Sequence, residues 1–166
     1  DGVVLQIAEP GLCKWFTDQC IAAGKAAGRD MSAYRSMAAA PAYFGDKKKA
    51  IEATKWFPAM VGNHVADIVE KYGADSDKVP ASLTSYIEAR RGYDYSKHGQ
   101  SDNPYLDFIT DDIVESFCVL GEPEDHIAKI RDLEAAGVTQ FNIYLDSGEE
   151  EDIIARYGRE IIPAFR

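Results

Sequence analysis

The chain has 166 residues, one domain's worth, and its 46% hydrophobic and 28% charged residues are the make-up of a globular protein. A formal net charge of −10 argues against nucleic acid or an anionic membrane as partner, because phosphates would be repelled along most of the surface. No apolar run approaches the roughly 20 residues that a bilayer crossing needs, and no signal-peptide pattern opens the chain, so the cytosol is the expected compartment.

The chain enters at once into an apolar run, Val3 to Ile7, which reads as a strand buried on both faces of a parallel sheet. A strand of that kind needs neighbours, so the sequence reads as part of something larger. Glu9-Pro10-Gly11 signals a loop, with Glu9 expected as a solvated carboxylate. Leu12, Trp15, Phe16, Cys20, Ala23 and Ala27 then recur at helical spacing, with Gly28 as the stop. After a turn at Asp30-Met31-Ser32, a second strand is expected over about Tyr34 to Ala42. Together these residues make a βαβ unit with parallel strands and a right-handed crossover.

Asp46 is placed to cap a long helical stretch reaching about Tyr72, with Pro58 dividing it. Pro80 opens a shorter helix ending near Arg91, and residues 92–104 read as an ordered loop. Thr110 caps a short helix through Phe117. Glu122-Pro123 opens another, with Ile127, Ile130 and Leu133 inward, His126 on a surface-like turn and Gly137 as the stop. A third strand runs from about Gln140 to Leu145, with Phe141, Ile143 and Leu145 opposed to Asn142 and Tyr144. The last helix, about Glu149 to Ile162, opens on Glu149-Glu150-Glu151-Asp152, where carboxylates suit the positive end of the helix dipole; that run is read as a cap and a solvated face.

The three cysteines make no disulfide framework. Cys13 and Cys20 lie seven residues apart on one helix, roughly 10 Å at about 1.5 Å per residue, too far to bridge. Cys118 reads as a small core residue whose thiol pKa is raised by Asp111, Asp112 and Glu115. With three histidines and neither Cys-x-x-Cys nor His-Glu-x-x-His spacing, no metal site is expected.

The absence of a Gly-x-Gly-x-x-Gly loop and the long insertion after a strand's C-terminal end favour a barrel over an open doubly wound sheet. Specific segments carry this further. Asp1-Gly2-Val3-Val4-Leu5 resembles the "ADGV" strand of the luciferase-like monooxygenase superfamily, its sixth barrel strand. Residues 120–127 with Glu134-Ala135-Ala136-Gly137-Val138 resemble that superfamily's "GxPEExxxxLxxxxxAGV" helix before strand eight. Residues 56–67 and 90–99 resemble a subgroup that uses the 5-deazaflavin coenzyme F-420. The resemblance implies an α/β fold, the C-terminal portion of a TIM-like (β/α)8 barrel with about strands 6–8 and a helical insertion. Its parts are a βαβ unit at 1–45, an insertion with a lid loop at 46–118 and a closing αβα unit at 119–166. It implies hydride transfer between F-420 and a small organic substrate; the alternatives are an FMN-dependent monooxygenase and a non-catalytic half-barrel. The expected associations are a homo-oligomer or pairing with an N-terminal half.

Residues that serve such chemistry belong at strand C-terminal ends and in the loops that follow. Gln6 either hydrogen-bonds the cofactor or is a polar residue of the rim. Tyr43 ends the second strand and is expected in the substrate pocket beside the small Ala38, Ala39 and Ala40. His64 and Asp67, three apart on one helix, form a candidate acid–base pair or a helix-packing contact. Between 90 and 98, Arg90 and Arg91 could fork onto an anionic cofactor, Tyr93 and Tyr95 could line the substrate pocket, and His98 could join the catalytic group. The competing reading there is loop packing and surface ion pairs.

Overall fold

Residues 1–72 and 109–166 are described by the computed structural model of the chain. The first strand, β1 (Gly2–Leu5), leads into helix α1 (Pro10–Ala26) and then into a ten-residue strand, β2 (Arg35–Phe44). Helices α2 (Lys47–Thr54) and α3 (Trp56–Tyr72) follow. Beyond residue 108 come α4 (Asp111–Phe117), β3 (Val119–Gly121), α5 (Pro123–Ala135), β4 (Gln140–Tyr144) and α6 (Glu150–Arg156). A π-turn over Tyr157–Ile161 and a 3-10 turn over Ile162–Phe165 close the chain.

Every strand pair is parallel, and β2 is their common partner. Met37 and Ala38 of β2 pair with both β1 and β4, so those two strands occupy opposite edges of β2. The three-residue β3 pairs with Ala42–Phe44 at the C-terminal end of β2. The chain is thus an α/β protein built on a parallel sheet, as its βα alternation requires.

Side chains alternate across a strand, and in β2 the two faces differ in kind. Ala38, Ala40, Ala42 and Phe44 join the main core with Leu12, Cys13, Phe57, Val114, Leu133, Ile153 and Tyr157 of the helical elements. Ser36, on that same face, is buried and hydrogen-bonds Thr17 of α1 at 2.9 Å. Met37, Ala39, Pro41 and Tyr43 point the other way, towards the face that carries the candidate site. The small alanines let the helical layer approach β2 closely.

The helix boundaries have local causes. Glu9 caps α1, its carboxylate accepting from Leu12 N, so this residue is a capping group where a solvated loop carboxylate was expected. Asp46 caps α2 through Lys49 N at 2.9 Å, and Thr110 caps α4 through Ile113 N, both as expected. The long helical stretch divides at Lys55, not at Pro58; the proline sits in the first turn of α3, where its missing N–H forfeits no intrahelical bond. Gly137, at φ 93°, takes the left-handed step that ends α5.

Three expectations are corrected. The first strand is not buried on both faces: it ends at Leu5, and Val4, paired with Met37 on the face away from the helical layer, is 58% exposed. The strand β3 was not foreseen, since a three-residue apolar run shows no period of its own. His126 is fully buried, not on a surface turn. No helix among the described residues is long and apolar enough to cross a membrane.

Candidate functional site

The sheet face opposite the helical layer gathers polar side chains at the C-terminal ends of the strands. Gln6, just past β1, donates from Nε2 to the hydroxyl of Tyr144 at the end of β4, at 2.8 Å. Since β1 and β4 flank β2, this bond crosses above β2. The Tyr144 ring rests on Phe57 of α3, with centroids 5.5 Å apart. Between the polar pair lie Ala39 and Pro41, both small and buried.

Tyr43 lies beside this arrangement, buried to 8% exposure. Its hydroxyl donates to Glu149 Oε1 at 2.9 Å, joining the end of β2 to the loop that follows β4. The phenol pKa is raised, first by that bond, because a neutral hydroxyl is the form that can donate, and then by burial. The acidic run at 149–152 therefore does more than was expected of it. No side chain of the run caps the helix: Glu150 Oε1 accepts from the loop amides Ser147 N and Gly148 N ahead of it, and Glu149 is committed to Tyr43.

A groove of about 450 Å³ runs along β1, lined by Val3 to Ile7 together with Phe16, Val61 and His64. Gln6 and His64 thus meet at one feature. Among the described residues its lining is apolar except for these two and includes neither Lys nor Arg. Asp67 is exposed one turn further along α3. Arg90, Arg91, Tyr93, Tyr95 and His98 lie outside the described residues.

Behind the site, on the helix-covered face, His126 holds the end of β2. Its Nε2 lies 3.2 Å from the Tyr43 carbonyl oxygen and its Nδ1 lies 3.0 Å from the Tyr157 hydroxyl. A carbonyl can only accept, so Nε2 carries the proton and Nδ1 accepts from Tyr157. The ring stacks on Phe44 with centroids 4.0 Å apart and planes 6° from parallel, and the Arg156 guanidinium stands 4.0 Å from the Phe44 centroid. Burial pushes the imidazole down to about 4, against the weaker pull of its bonds to backbone carbonyls, so it is neutral at pH 7. This histidine organises the strand end and does not reach solvent.

Cys13 and Cys118 are buried with thiols pushed up to about 12. For Cys118 the rise was expected from nearby carboxylates; its cause is burial. Among the described residues no group of three or more metal-binding side chains converges.

Sequence reasoning placed Gln6 and Tyr43 at strand ends and His64 on a helix, but passed over Tyr144, Glu149 and Phe57. Tyr144 was within reach, because it ends a strand whose alternation assigns it to the face opposite Ile143. Glu149 was masked by its membership of a charge run.

Residues 1–140 match the family model described as luciferase-like monooxygenase. The chain is 29% identical to the 5,10-methylenetetrahydromethanopterin reductase of Methanopyrus kandleri over its whole length and 45% of that protein. It is 27% identical to the enzyme of the same name from Archaeoglobus fulgidus, over the whole chain and 49% of that protein. The structure of the coenzyme F-420 dependent tetrahydromethanopterin reductase from Methanopyrus kandleri superposes with a TM-score of 0.66 at 25% identity, covering 99% of this chain and 45% of that one. The chain spans about half the length of the curated relatives it matches.

Proposed function

As the chain belongs to the luciferase-like monooxygenase family, we propose that it is the C-terminal portion of a TIM-like barrel oxidoreductase that transfers hydride between coenzyme F-420 and a small organic substrate. The observation that carries this reading is the polar group on the sheet face opposite the helical layer. An amide and two phenols stand around a floor of small residues at the C-terminal strand ends, where barrel enzymes hold their ligands. A flat heteroaromatic ring with polar edges suits that surface, and Gln6, Tyr43 and Tyr144 would hold it. The relatives named as F-420 enzymes or as tetrahydromethanopterin reductases support the choice of cofactor.

When bound, the deazaflavin supplies a two-electron hydride donor or acceptor. The chain's own residues bind, orient and exclude water. Gln6 donates to a ring acceptor once released from Tyr144. His64, with Asp67 on the same helix, serves as the proton donor or acceptor at the mouth of the groove, joined by His98. Arg90 and Arg91 take the anionic tail, for which no described residue of the groove along β1 provides a cation, and Tyr93 and Tyr95 complete the substrate pocket with Tyr43.

Fluorescence titration of the folded chain with F-420, and in parallel with FMN, tests the reading. Saturable binding of F-420 alone is expected. Binding of FMN alone would move the chain to the flavin monooxygenases, and binding of neither would leave it without a cofactor site of its own.

The apolar groove along β1, whose only strand partner among the described residues is β2, favours one further element of the reading: the β1 edge is covered by another set of strands, from an N-terminal half or a second copy. A sedimentation experiment that found a stable monomer at all concentrations would count against it.

A further inference from the structure

The Tyr43 hydroxyl has one proton, and that proton points at a carboxylate, which can only accept. What the Tyr43 oxygen has left to offer is its lone pairs. The residue is also held at its other end, where His126 Nε2 donates to its backbone carbonyl at 3.2 Å. Phe44, the next residue, is fixed between the His126 ring and the Arg156 guanidinium. With the backbone pinned and the hydroxyl turned to Glu149, the phenol has little freedom to reverse its polarity.

We propose that Glu149 is a positioning residue that sets Tyr43 as a hydrogen-bond acceptor, so that this point of the site selects a ligand group that donates, a hydroxyl or a ring N–H. The inference rests on the F-420 reading above, since a deazaflavin offers both kinds of donor. It adds a residue, and a direction of hydrogen bonding, to that site. Glu149 is exposed and reaches in from the loop ahead of α6, so its removal leaves the core untouched.

The test is a fluorescence titration with F-420 of the unmodified chain and of Tyr43→Phe, Glu149→Gln, Glu149→Ala and the Tyr43→Phe/Glu149→Ala double variant, each checked for folding by circular dichroism. Tyr43→Phe keeps the ring and is expected to weaken binding about tenfold, the scale of one well-placed hydrogen bond. Glu149→Ala is expected to weaken it about fivefold, because the phenol is then free to rotate. Glu149→Gln retains a carbonyl oxygen that can still take the phenol proton, and is expected to restore most of the affinity. In the double variant, loss of Glu149 should add nothing to the loss of the Tyr43 hydroxyl. Binding indifferent to both single substitutions, or additive losses in the double variant, would overturn the proposal while leaving the cofactor reading intact. Failure of the unmodified chain to bind F-420 would overturn both.

Discussion

Replacement of His126 by phenylalanine separates two roles of a buried imidazole. Phenylalanine can keep the stack on Phe44 but offers nothing to the Tyr157 hydroxyl or the Tyr43 carbonyl, both now bonded to the ring. Leaving a buried polar group unsatisfied costs about 1–3 kcal/mol, so with two such groups the variant should lose roughly 2–6 kcal/mol at pH 7, a large share of the stability of a typical domain, about 5–15 kcal/mol. The pH dependence gives a sharper signature. Burial lowers the His126 pKa from 6.5 to about 4, so between those values the unfolded chain binds the proton and the folded chain does not. Stability from this group is therefore fully present above pH 6.5 and is lost as pH falls towards 4. At about 1.36 kcal/mol per pKa unit the loss comes to about 3 kcal/mol. Urea unfolding of both proteins at pH 7, 5.5 and 4 measures it, and the carboxylates common to both cancel in the difference. The gap between the two should shrink by about 3 kcal/mol over that range. Parallel pH profiles would refute the assignment of a neutral, doubly bonded imidazole.

Two further outcomes follow from the geometry. Gly121 has φ 119°, and a Cβ there would lie 2.4 Å from Asp125 Oδ2, the atom that accepts from Glu122 N to cap α5. Gly121→Ala should therefore cost about 2–3 kcal/mol, clearly more than Gly148→Ala, where the backbone strain is similar but nothing lies within 4 Å of the new carbon; equal shifts in the urea midpoint would show that the clash is relieved freely. Cys20 is partly exposed, whereas Cys13 and Cys118 are buried with thiols near 12. Alkylation at pH 7 followed by peptide mapping should mark Cys20 first and the other two only at the rate of unfolding, and rapid labelling of Cys118 in the folded chain would contradict its place in the core.

What was legible in the sequence was local. Asp46 and Thr110 announce helix starts because a capping side chain bonds a backbone N–H three residues on, and that spacing is written in the chain. The parallel sheet is legible from βα alternation, since parallel strands must be joined by a crossover. His126 was misread because the residues that hold it are distant: Tyr157 is 31 positions away and Tyr43 is 83. On its own helix, directly after Glu124 and Asp125, it looks like a surface residue. The strand β3 was missed for the same reason, as its pairing with Ala42–Phe44 is set by tertiary contact.

The last residues of β2 show how site and core constrain each other. Tyr43 and Phe44 are adjacent, so strand alternation sends one to the face opposite the helical layer and the other into that layer. His126 acts on both, through the carbonyl of Tyr43 and the ring of Phe44, while Arg156 covers Phe44 and is held by Glu160 and Glu122. A shift of this strand end would have to break the buried His126 bonds and unstack the ring together, which makes it one of the stiffer points of the sheet. A phenol mounted there needs only one more contact to fix its direction, and Glu149 supplies it. The rigidity of this strand end is therefore obtained from the helix-covered side of the sheet, through residues that do not share a face with Tyr43.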